Sequence, residues 1–210
     1  MENMNLILLI CILMPLSMIL FIFKGQTRTV VSFLMLGIVM CLLASEINGI
    51  IIYTLNFDRY YATVNIIPIV EELLKALPVL VYAYLFKPSR RQLIECALVM
   101  GIGFAILENC LILTGNISLV SLPFALVRGF GTGMMHGLCT MAVGFGIGLI
   151  RTDRRLAFCG TFALLTVSVM YHSAYNCIVQ SEFRMFGIVL PLITFALLII
   201  VAGKKMVKLK

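Results

Sequence analysis

The chain has 210 residues, of which 62% are hydrophobic and only 12% charged, with a formal net charge of +7. A soluble domain is about half apolar, so this composition excludes one and leaves an all-α, polytopic membrane helix bundle, read as a single transmembrane domain over 1–210. Seven cysteines (Cys11, Cys41, Cys96, Cys110, Cys139, Cys159 and Cys177) all fall in apolar stretches without a CxxC pair, which argues against a disulfide or zinc-finger framework and for small hydrophobes.

In chain order, the hydropathy pattern predicts about seven transmembrane helices near 5–23, 29–54, 66–86, 93–114, 122–150, 156–180 and 185–202. The first has only Glu2 before its apolar run; lacking the basic start of a secretory signal, it is read as a mature helix. The loops test the count. Lys24, Arg28, Lys87, Arg90, Arg91, Arg151, Arg154, Arg155, Lys204, Lys205, Lys208 and Lys210 fall on one side, against Arg59 and Arg184 on the other. Lys and Arg accumulate on the cytoplasmic side of membrane proteins, so the N-terminus is expected outside and the C-terminus in the cytoplasm. This distribution makes the lipid bilayer, not nucleic acid, the partner of the basic charge.

The third predicted span, IIPIVEELLKALPVLVYAYLF, carries Glu71, Glu72 and Lys75. An ionisable side chain at membrane depth costs about 2.5–3.5 kcal/mol on insertion scales. Lys75 lies three and four residues from the carboxylates and can neutralise one of them. The other then needs polar surroundings, so this helix is expected to wall a polar site. Pro78 cannot donate to the carbonyl of Leu74, which loosens the helix just beyond.

The following spans supply those surroundings. Span 4 reads GIGFAILENCLIL, with Glu108 and Asn109. Span 5 carries Arg128 and then His136 among Gly129, Gly133 and Gly137, a small-residue row of the kind that lets helices approach closely. Span 6 ends YHSAYNC, with His172 and Asn176 one turn apart. At 1.5 Å per residue, Glu71, Glu72, Glu108, His172 and Asn176 sit roughly 6–12 Å below the outer boundary, with His136 nearer mid-membrane. Glu46 joins no such pattern and is read as structural; Lys75 and Arg128 are read as charge balancers. The plainer readings of the others are ion pairs with Lys75 or Arg128 and interhelical hydrogen bonds.

The series Glu71-Glu72-x-x-Lys75, Phe104-x-x-x-Glu108-Asn109, a Gly-rich helix with His136, and His172-x-x-x-Asn176 resembles the motifs of the PrsW family of intramembrane proteases, over residues 66–180. That family is related to CAAX-processing and bacteriocin-processing proteases, whose second motif has a His where this chain has Glu108. The resemblance implies a multi-pass protein of the bacterial cell membrane that makes the site-1 cut in a single-span partner, an anti-sigma factor. The catalytic residues are then expected among Glu71, Glu72, Glu108, His136, His172 and Asn176.

Amide hydrolysis needs an activated water, an oxyanion donor and a proton for the leaving amine. Glu71 or Glu72 suits the general base, with a histidine sharing the water, and Asn176 suits the oxyanion donor. Two carboxylates and two imidazoles also suit three ligands to a divalent metal such as zinc with one open position. HExxH is absent. The residues leave the cofactor open; the kinship with CAAX-type proteases favours a metal-free glutamate mechanism. Carboxylates and histidines at membrane depth also serve proton- or cation-coupled transporters, which is the alternative function, although no internal repeat of the transporter kind is visible.

Overall fold

The computed structural model describes the backbone of residues 2–115 and 121–207, and side chains for 7–115, 121–150 and 152–200. Residues 116–120 and the expectations resting on the side chains of Glu2, Arg151, Lys204, Lys205, Lys208 and Lys210 lie outside the described residues.

The described chain is helical, without strands. Helix α1 spans Glu2–Ile22, α2 Gly25–Leu55, α3 Arg59–Tyr61, α4 Ile67–Phe86, α5 Arg90–Gly115, α6 Leu122–Leu126, α7 Gly133–Ile147, α8 Arg154–Val179 and α9 Val189–Val207. Two π-helical stretches, Ala62–Ile66 and Val127–Thr132, lead into α4 and α7. By length and composition four helical segments suffice to cross a membrane: Gly25–Leu55, Arg90–Gly115, Leu122–Ile150 and Arg154–Val179. Ile7–Ile22 and Arg184–Ile200 are shorter apolar helices, and the 20 residues of α4 include Glu71, Glu72 and Lys75.

Side chains set several helix ends. Asp153 accepts from the backbone N–H groups of Arg155 and Leu156 at the start of α8, and Ser121 from that of Phe124 at the start of α6, which satisfies donors that an N-terminus otherwise leaves open. Helix α2 ends on Asn56 in the left-handed region, φ 50°, which Asn tolerates better than most residues.

The core is built around α5, which packs between α2 and α7, with α8 on the far side of α7. Helix α4 touches α2, α5, α7 and α8, so its charged turn faces four neighbours at once. Phe33, Val79, Leu93, Met100, Val143 and Ile147 fill one apolar layer, and Ile38, Cys41, Phe104 and Leu107 a second.

Glycines make the close approaches possible. A Cβ on Gly101 would fall on the carbonyl of His136, one on Gly103 on the carbonyl of Leu34, and one on Gly37 on that of Met100. The GIG of span 4 thus faces two partners, α7 and α2. The row in span 5 behaves otherwise than its spacing suggests. Gly129 and Gly133 have open space where a Cβ would stand, and only Gly137 meets a neighbour, the side chain of Leu98 at 3.1 Å. Spacing alone put all three on a seam, whereas the α5–α7 contact runs through Gly137 together with Gly101 and Gly144. Gly101→Val and Gly103→Val are therefore expected to destabilise the fold by about 1–3 kcal/mol or more through overpacking. Gly133→Ala should be neutral or stabilising. Thermal unfolding of the detergent-solubilised variants reads the difference.

Candidate active site

Glu71, Glu72 and Lys75 share one turn of α4 and are all buried. Lys75 Nζ lies 2.6 Å from Glu72 Oε1 and 2.7 Å from His136 Nδ1. An ammonium only donates, so His136 Nδ1 accepts and its Nε2 carries the hydrogen. That hydrogen goes to Glu108 Oε2 at 2.8 Å. Glu108 Oε1 is 3.1 Å from Arg128 Nη2. Arg128 Nε donates to Asn109 Oδ1, and Asn109 Nδ2 returns a bond to the Arg128 carbonyl, both at 3.1 Å. This exchange fixes the π-helical stretch against α5.

On the other side of Glu72, the same Oε1 accepts from His172 Nδ1 at 2.9 Å. His172 Nε2 then keeps its lone pair and faces Glu71 Oε2 at 3.8 Å. Glu71 Oε2 is buried and has no hydrogen-bond partner. Two lone-pair atoms facing each other without a donor call for something between them, a water or a cation. The rings of His136 and His172 stand edge to face with centroids 4.8 Å apart, and Phe104 backs both His136, at 5.1 Å, and the Lys75 ammonium, at 4.9 Å.

Helix α8 is pinned where His172 sits. Ser168 Oγ donates to the Cys139 carbonyl at 3.0 Å, and Tyr175 OH shares a 2.8 Å bond with Thr132. Asn176 Nδ2 donates to the Thr63 carbonyl at 2.9 Å, where the π turn before α4 displaces the backbone pattern. One of the two Asn176 amide hydrogens is therefore committed.

A cavity of about 1050 Å³ reaches this cluster, with Glu71, Glu108, His172 and Asn176 in its wall. Of the six residues expected from the sequence, Glu72, Glu108, His136 and His172 are joined through Lys75 in one hydrogen-bonded chain, Glu71 faces His172 at 3.8 Å without a hydrogen bond, and Asn176 stands one helical turn from His172 in the same wall. His136, expected nearer mid-membrane than the others, bonds Glu108 directly. Fourteen residues precede His136 from the start of α6, but only seven follow Glu108 in α5. The α6 end must therefore extend further past the site, which counting from helix ends does not reveal. Glu46 is exposed and lines no part of the cavity. Lys75 is more than the charge balancer the sequence suggested, because it ties Glu72 to His136. Thr132, Tyr175 and Asn48, all buried, carry no motif signal; only their polarity inside apolar helices marks them.

Glu71, His136 and His172 each offer one ligand atom within 4.8 Å of the others. The donor set suits a divalent ion such as zinc. Glu71 Oε2 and His172 Nε2 make no hydrogen bond to each other as they stand, while His136 Nδ1 is held by Lys75 Nζ at 2.7 Å and would have to give up that contact to hold an ion. Glu72 and Glu108 hold the remaining imidazole hydrogens, as outer carboxylates do around metal-bound histidines.

The chain is thus a multi-pass helical membrane protein with a carboxylate–imidazole cluster in the wall of a cavity. The chain belongs to the PrsW family of intramembrane metalloproteases, whose family model matches residues 25–203; it is an intramembrane protease. No curated protein and no solved structure matches it.

Proposed function

We propose that this protease hydrolyses one peptide bond in the extracytoplasmic juxtamembrane segment of a single-span membrane protein, with an anti-sigma factor as the substrate class and the site-1 cut as its step. The observation that carries the reading is the pair Glu71 Oε2 and His172 Nε2, 3.8 Å apart, buried and facing each other without a donor between them. A water held there has a base on one side and a hydrogen-bond acceptor on the other. Glu71 takes its proton as the water attacks the carbonyl and passes the proton to the leaving amine. Glu72 holds His172 by its Nδ1–H, so that Nε2 keeps facing Glu71. Glu108 orients His136 in the same manner. The uncommitted amide hydrogen of Asn176 is placed to donate to the developing oxyanion.

The metal alternative gains weight from the family description and from the Glu71–His136–His172 cluster, against the metal-free preference drawn from the sequence. Those three residues would hold the ion, which when bound would supply Lewis acidity and a more acidic water. Purified protein is expected to contain about one equivalent of divalent metal and to lose cleavage on chelation. Full cleavage by protein shown metal-free by elemental analysis would overturn the metal assignment and leave Glu71 as sole activator.

The loop charges support this orientation. With the N-terminus outside, Glu71 and His172 would lie toward the extracytoplasmic ends of α4 and α8. A substrate helix has every backbone amide bonded internally at mid-membrane, and unwinding is cheapest near the interface, where water can satisfy the freed groups.

A further inference from the structure

Helix α2 contributes none of the residues in the motif series, yet one of its faces walls the cavity. Cys41, Ser45, Asn48, Gly49 and Ile52 line it, at the spacing of a single helical stripe. Cys41 shares the cavity wall with Glu71 and Glu108, so the lower end of the stripe opens onto the same space as the acidic cluster. Asn48 stands seven residues further along, roughly 10 Å up the axis. It is only 5% exposed, and its Oδ1 is sealed from solvent without a hydrogen-bond partner. A buried amide oxygen without a partner is a costly feature, and the residue that carries it stands in the cavity wall. Beside it, Gly49 has nothing within 4 Å of where a Cβ would stand, so the wall there is bare backbone.

We propose that Asn48 and Gly49 form a subsite for the main chain of the unwound substrate, about three residues to the extracytoplasmic side of the scissile bond. The proposal rests on the protease reading above. The offset follows from the rise of an extended chain, about 3.3 Å per residue, over the axial distance between Cys41 and Asn48. A segment pulled out of its helix exposes backbone groups that must be satisfied away from bulk water. The Asn48 side chain carries both a donor and an acceptor and meets that need without regard to the substrate's side chains. Gly49 lets the strand lie close against α2.

The test uses the purified full chain in detergent with a single-span substrate. Asn48→Leu and Asn48→Ala are expected to lower kcat/KM roughly tenfold through KM. The melting temperature should hold or rise, because an unsatisfied amide has been removed. Gly49→Phe should block cleavage by filling the subsite. A photo-crosslinking residue at position 49 should attach to the substrate two to four residues outside the cut. Unchanged KM in both Asn48 variants overturns the subsite, as does crosslinking confined to the cytoplasmic side of the cut. A melting temperature that falls together with activity assigns Asn48 a structural role and overturns it too. If the wild type cuts no single-span substrate at all, it is the protease reading that fails, so the two failures are distinguishable.

Discussion

Glu71→Gln and His172→Ala are each expected to reduce cleavage at least ~10²-fold while the protein still accumulates in the membrane. The two side chains meet at 3.8 Å across a gap that neither fills. Glu71 Oε2 makes no hydrogen bond, so its neutral amide replacement removes the base without breaking a packing contact. His172→Ala removes the facing nitrogen, and also the hydrogen bond from Nδ1 to Glu72. Glu108→Gln and His136→Ala should fall in the same range, because Glu108 fixes which imidazole nitrogen of His136 carries the hydrogen. Glu46→Gln is the control and should be mild, since Glu46 is exposed on α2. Cleavage is read as the shortened, membrane-retained fragment of a co-expressed single-span protein. Full activity in both Glu108→Gln and His172→Ala would remove the site from this cluster.

The largest stability effect is expected at Lys75. It is fully buried and makes two contacts below 2.8 Å, to Glu72 Oε1 and to His136 Nδ1. Lys75→Met leaves the buried Glu72 with the His172 Nδ1–H bond but without its cation, and breaking a buried pair in this way costs about 3–5 kcal/mol. Pairing it with Glu72→Gln removes the uncompensated charge and should restore much of that loss, because replacing both partners of a buried pair is far cheaper than removing one. The double variant should remain inactive, since the Glu72 carboxylate no longer holds His172 and the His136 Nδ1 contact is also lost. Thermal unfolding of the wild type, the two single variants and the double variant closes the cycle. A Lys75→Met protein as stable as the wild type would show that the ammonium does not hold this cluster together.

The all-helical fold and most residues of the candidate cluster are legible in the sequence because the costs involved are large. Glu71, Glu72 and Lys75 inside an apolar run each demand a partner, and the search for partners leads to Glu108, His136 and His172. The assignment of partners is another matter. Nothing in the spacing says that Lys75 reaches across to His136 on α7, since i,i+3 and i,i+4 rules speak only of the same helix. The open surroundings of Gly129 and Gly133 were equally hidden, because a four-residue repeat marks a face without naming what the face meets. Asn48 carries no signal in the sequence for a related reason. Its value lies in lacking a partner, and that is visible only when its surroundings are in place.

The most direct test of the account is to sequence the new terminus of the membrane-retained fragment after purified protease has cut a single-span substrate in liposomes of known orientation. The expected result is one cut in the extracytoplasmic juxtamembrane segment or within the first exposed turns of the substrate helix, absent with Glu71→Gln. A terminus on the cytoplasmic side, or an unchanged cut by Glu71→Gln, would contradict it.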